Sequence, residues 1–87
     1  MKIKKGFVVR TIAGKNVVVA LGAASRDFGG MIELNETAKF IWDKLAAGAE
    51  KEELVEALAK EYDAPRELLV SDVDNFIAKL KGVNVLE

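Results

Sequence analysis

The chain has 87 residues, 51% of them hydrophobic and 31% charged, which suits one small globular domain over residues 1–87 and excludes a disordered chain. It has no cysteine and no histidine. Disulfides, thiolate or imidazole metal sites, cysteine nucleophiles and Ser-His-Asp triads are therefore excluded, and no metal, cofactor or intrinsic catalysis is expected.

The formal charge of −1 conceals a basic front, with six bases against one acid up to residue 30, and an acidic remainder, with seven bases against thirteen acids. Such asymmetry can steer a charged partner, although acids also simply populate exposed helix faces. The basic Met1-Lys2-Ile3-Lys4-Lys5 start precedes no long apolar run. The longest, Val17 to Leu21, is far too short to span a membrane or serve as a signal peptide. A cytoplasmic protein without a membrane partner is expected.

In chain order, Gly6-Phe7-Val8-Val9-Arg10-Thr11-Ile12 and Val17-Val18-Val19-Ala20-Leu21 are β-branched runs flanking Ala13-Gly14-Lys15-Asn16, a hairpin signature. The second run is apolar at both parities, as a central strand covered on two faces would be. Residues Gly22 to Gly30 read as a loop whose Gly29-Gly30 pair leads into a short third strand, Met31-Ile32-Glu33-Leu34.

From Asn35 the apolar period becomes helical. Asn35 is a good N-cap with Glu36 in the first turn, and Ala38, Ile41, Trp42 and Leu45 form a stripe ending at Gly48. Glu50, Glu52 and Glu53 open a second helix with the stripe Val55, Leu58, Ala59 and Tyr62, Leu54 lying beside it. Asp63-Ala64-Pro65 breaks it, with Pro65 in the first turn of a third helix and Asp63 or Ala64 as its cap.

In that third helix, Leu69, Val70, Val73, Phe76, Ile77, Leu80 and Val83 fall in an arc of roughly 140°, wider than the about 100° that one core requires. Leu68 extends the arc, and Asp72 and Asp74 fence its edges. The surplus implies deep burial or a second contact surface. The order predicts an α+β fold, winged-helix-like, with a three-stranded antiparallel sheet (about residues 6–12, 16–21 and 30–34) followed by three helices (about 35–47, 50–62 and 65–83).

Catalytic motifs fail by elimination. Ser25 and Ser71 have no histidine to activate them, and Glu52/Glu56 and Glu53/Glu56 are helix-surface spacings. Gly29-Gly30 lacks the residues of a phosphate loop. A winged-helix DNA-binding protein is the alternative class, but the exposed face of the third helix mixes Arg66, Lys79 and Lys81 with Glu67, Asp72 and Asp74, so nucleic acid is an unfavoured partner. The remaining feature is the third strand. It is apolar, without lysine or proline to block pairing, so an extended peptide can add to it as a further strand. A weak homodimer through the same edge, or a swap through the Gly22–Gly30 loop, competes with that use.

The segment Gly30-Met31-Ile32-Glu33-Leu34-Asn35-Glu36-Thr37-Ala38, with Phe40-Ile41-Trp42 and Leu45, resembles PqqD-like proteins. Glu53-Leu54-Val55-Glu56-Ala57-Leu58 with Glu61-Tyr62-Asp63, and Asp72-Val73 with Phe76-Ile77 and Leu80, extend the resemblance over nearly the whole chain. Two departures stand out. Asn84 replaces the usual glycine before the final Val85-Leu86-Glu87, and Ala49-Glu50 replaces the usual threonine cap of the second helix.

The resemblance implies a RiPP recognition element: a non-catalytic peptide chaperone that captures the leader of a ribosomally made precursor peptide and presents it to a modifying enzyme, often a radical SAM protein, in natural product biosynthesis. It further implies a leader added beside the third strand and packed against the third helix. The expected peptide-binding residues are the main chain of Met31, Ile32, Glu33 and Leu34, with Leu69, Val73, Phe76 and Ile77 lining part of a groove. Some of these four must face the core. Asp72, beside them, either meets a basic or hydroxylated leader residue or solvates the helix edge.

Overall fold

The computed structural model describes residues 1–26 and 32–87. Strands β1 (Phe7–Ile12), β2 (Lys15–Ala20) and β3 (Ile32–Leu34) are followed by helices α1 (Glu36–Ala47), α2 (Lys51–Glu61) and α3 (Arg66–Gly82). The sheet is antiparallel in the order β1-β2-β3, with Val9 opposite Val18 and Val18 opposite Ile32. The expected α+β architecture is present, and the winged-helix likeness is loose. The Gly29-Gly30 pair and Met31, placed at the entry to the third strand by the sequence, lie outside the described residues.

The β1–β2 connection is two residues, Ala13 and Gly14, with φ of 53° and 79°. Positive φ at both centres matches the right-handed strand twist, so β2 starts one residue earlier than the sequence suggests. As the central strand, β2 buries Val18 in the core and Val17 on the opposite face.

After β2 the expected loop begins instead as a 3₁₀ turn, Gly22–Arg26. The Ser25 hydroxyl donates to the Gly22 carbonyl at 2.7 Å, and the Ala24 N–H to the Leu21 carbonyl at 3.2 Å. Serine bonding its own backbone turn gives the short segment a local alternative to open coil. The turn packs onto Gly6, where φ is +94° and an added Cβ would lie 2.8 Å from the Ala24 Cβ.

The sheet's inner face meets the helices in one core. Val18, Ile32 and Leu34 join Ile41, Trp42 and Leu45 of α1, Leu54, Val55 and Leu58 of α2, and Leu69, Val73, Phe76, Ile77 and Leu80 of α3. Two details depart from the expected stripes. Leu54 is buried while Ala59 is exposed, and Leu68 is 51% exposed instead of extending the buried arc. α3 packs chiefly on α2, which sets its inward face.

The caps fix the helix limits. Asn35 accepts from the Ala38 N–H at 2.8 Å, and Gly48 (φ 90°) ends α1. In α2, the Glu53 carboxylate accepts the Glu50 N–H at 3.1 Å, so an i, i+3 glutamate pair caps the helix without a threonine. α3 begins one residue later than expected: Pro65 itself is the N-cap, its carbonyl accepting the Leu68 and Leu69 N–H groups at 3.0 and 3.2 Å.

At the far end, Asn84 takes φ 61°, the left-handed conformation that glycine most often supplies at a helix end and asparagine next. The Asn84 N–H donates to the Lys81 carbonyl and the Val85 N–H to Leu80, which is the paired bonding of a Schellman cap. Beyond it the tail is not free. Ile3 and Leu86 form an antiparallel bridge, the Lys4 N–H donates to the Val85 carbonyl at 2.8 Å, and the Lys4 ammonium reaches the Asn84 Oδ1 at 2.6 Å. Both chain ends thus close the core, a pairing that no local sequence signal announces.

Candidate functional site

β3 pairs with β2 alone, so its other side has no strand partner among the described residues. Its three residues alternate in burial: Ile32 and Leu34 point into the core, and Glu33 points out. Fixed inward side chains pin the register, because a one-residue slip would bring Glu33 into the core. The edge therefore offers main-chain groups in a defined register.

Beside β3 lies a depression of about 340 Å³. Glu33 and Asn35 form its strand side, Thr37, Ala38 and Ile41 of α1 contribute a second wall, and Asp72, Asn75, Phe76 and Lys79 of α3 form the third. The α3 positions recur at i, i+3, i+4 and i+7, one face of the helix. The Asn35 cap holds the first turn of α1 against this space. Phe76 is 9% exposed, so only part of its ring faces the depression.

The structure brings Glu33, Asp72 and Phe76 of the expected set together around this space. Leu69, Val73 and Ile77 are core residues, with Val73 wholly buried. Ile32 and Leu34 also send their side chains inward and leave main chain at the edge. Met31 lies outside the described residues. The wide apolar arc of α3 is thus mostly deep burial, the first of its two expected explanations. Sequence reasoning missed Asn35, Thr37, Ala38, Ile41, Asn75 and Lys79. The available signal was the polar stripe Asp72-Asn75-Lys79 bordering the arc.

Charge is unevenly answered around α3. Arg66 meets Glu56 and Lys51 meets Asp74, each at 2.7 Å, tying α2 to α3. Glu33 is 3.8 Å from Lys15. The Asp72 carboxylate and the Lys79 ammonium make no ion pair or hydrogen bond among the described residues.

A second depression, about 460 Å³, lies between α1 and α2, where Phe40 and Ala57 are surrounded by Lys44, Lys60 and the glutamates Glu52, Glu53, Glu56 and Glu61. It borders no strand edge. Among the described residues no cluster of carboxylates is placed to hold a metal ion, and no helix is long and apolar enough to cross a membrane.

Two solved structures share this fold. One, TbiB1 in complex with the TbiA(beta) leader peptide, is 28% identical, with a TM-score of 0.79 over 100% of this chain and 95% of that one. The other, lasso peptide synthetase B1 complexed with the leader peptide, is 20% identical, with a TM-score of 0.72 over 93% of this chain and 89% of that one. No curated protein matches the sequence. The sequence model of coenzyme PQQ synthesis protein D (PqqD) matches residues 9–86, and the chain belongs to that family.

Proposed function

We propose that this chain is a peptide-binding module, a RiPP recognition element that captures the leader segment of a ribosomally made precursor by strand addition. The leader lies along β3, an edge strand set beside the groove, and packs between β3, the start of α1 and α3. Main-chain bonds supply affinity in this mode, and side-chain pockets supply selection. The observation that carries the reading is the vacant β3 edge set beside the Asp72–Lys79 face of α3. Membership in the PqqD family and similarity to TbiB1, solved with a leader peptide, support it.

The captured leader is presented to a modifying enzyme, a radical SAM protein or another peptide maturase. The chain itself needs no cofactor for this, since binding and presentation make and break no covalent bond. Ile32, Glu33 and Leu34 provide the strand, Phe76 an apolar contact, and Asp72 a polar one. Leu69, Val73 and Ile77 support that surface from beneath. Affinity in the micromolar to nanomolar range, roughly −8 to −12 kcal/mol, is expected for such a contact.

The test is an amide chemical-shift titration with the N-terminal segment of a precursor encoded beside this chain's gene. Shifts should cluster on residues 32–38 and 72–79. Ile32→Pro should abolish them by removing a donor or breaking the strand. Shifts centred on Lys2, Lys4, Lys5 and Arg66 on adding duplex DNA, with none on adding peptide, would replace the peptide reading by a nucleic-acid one.

A further inference from the structure

Resting on that reading, we propose that the groove selects peptides by charge. The preferred segment has the pattern basic–x–apolar–x–acidic, in one of the two chain directions, with Asp72 holding the basic side chain and Lys79 the acidic one.

Three α3 residues that face the depression carry the argument: Asp72, Phe76 and Lys79. At a rise of 1.5 Å per residue they stand at 0, about 6 and about 10.5 Å along the helix. An extended peptide presents side chains on one face every second residue, at 0, about 6.7 and about 13 Å. With the first side chain level with Asp72 and the peptide running along the helix, the middle position falls level with Phe76. The outer pair overshoots by about 3 Å, a difference that long lysine, arginine or glutamate side chains absorb.

The charges at the two ends are open. Asp72 and Lys79 have no ion-pair partner among the described residues, whereas the Arg66 and Asp74 charges on the same helix are answered by Glu56 and Lys51. Glu33, across the groove, already has Lys15 at 3.8 Å. Asn75, between the two ends, offers both donor and acceptor and so discriminates little. Selection therefore falls on the ends, where a like charge is repelled and an opposite one paired.

The experiment pans a displayed library of random twelve-residue peptides against the full chain and against the Asp72→Lys/Lys79→Asp double variant. Both positions are exposed, and matched far-UV spectra establish that the variant is folded. Wild type should enrich the stated pattern and the variant its charge-reversed form. For one enriched peptide, reversing its two charges should weaken wild-type binding about tenfold or more by fluorescence anisotropy, with the loss recovered by the double variant. This peptide-side reversal reads the same contacts on unaltered protein. Peptides that bind, and are lost with Ile32→Pro, but show no charge pattern would overturn the charge selection and leave the peptide reading standing. Failure to enrich any peptide would overturn both.

Discussion

The side-chain oxygen of Asn35 accepts the backbone N–H of Ala38 at 2.8 Å, and both residues line the depression beside β3. The bond that starts α1 therefore also shapes a wall of the candidate site. Asn35→Ala should cost about 1 kcal/mol, the usual value of an N-cap. Thermal unfolding should read this as a drop of about 4–8 °C. Asn35→Asp keeps the acceptor and should restore the wild-type midpoint. If both variants melted with wild type, the cap would carry no stability.

The hairpin tip carries a correctable defect. Ala13 sits at φ 53° beside Gly14 at φ 79°, a conformation costing an L-residue with a Cβ roughly 1–2 kcal/mol. Asparagine tolerates it, and Asn-Gly is the preferred pair when both central residues have positive φ. Ala13→Asn should raise stability by about 0.5–1 kcal/mol in urea unfolding. Ala13 is exposed, so the substitution displaces no packed neighbour.

Local periodicity made the elements legible. The stripe Ile41, Trp42 and Leu45 is buried as the sequence implies, Asn35 caps α1, and Asn84 occupies the left-handed position at the end of α3. What depends on distant partners was not legible. The Ile3–Leu86 bridge joins the two chain ends, and the turn at Gly22–Arg26 depends on close packing against Gly6. The candidate site was half visible. The vacant edge followed from strand order, but the division of α3 into core and groove follows from where α2 sits. That placement buries Leu69, Val73 and Ile77 and leaves the polar neighbours Asp72, Asn75 and Lys79 facing the depression.

Trp42, the single tryptophan, is 3% exposed and belongs to the core shared by sheet and helices. Its truncation leaves a large void, so Trp42→Ala should cost about 3–5 kcal/mol. A chain of this length has a total of only about 4–13 kcal/mol to lose, and the variant should be partly unfolded at 37 °C. The native protein should emit at short wavelength in fluorescence and shift to the red on denaturation. Trp42→Phe, which keeps an aromatic ring in place, should lose less. A cost near zero for the alanine variant would place the ring at the surface.

The vacant side of β3 can meet another copy of itself as well as a peptide. The strand is short, three residues in the described structure, so self-pairing gains few main-chain bonds and must order two chains at once. A standard stable interface buries about 1,200–2,000 Å², far more than one short edge provides. Self-association should therefore be weak, with sedimentation showing monomer at low micromolar concentration and a rise in mass only well above it. A bound peptide occupies the same main-chain groups, so adding it should return the concentrated sample to monomer. A tight dimer that persists in saturating peptide would mean that self-association uses another surface, and the Gly22–Gly30 segment would then be the place to look for exchange between chains.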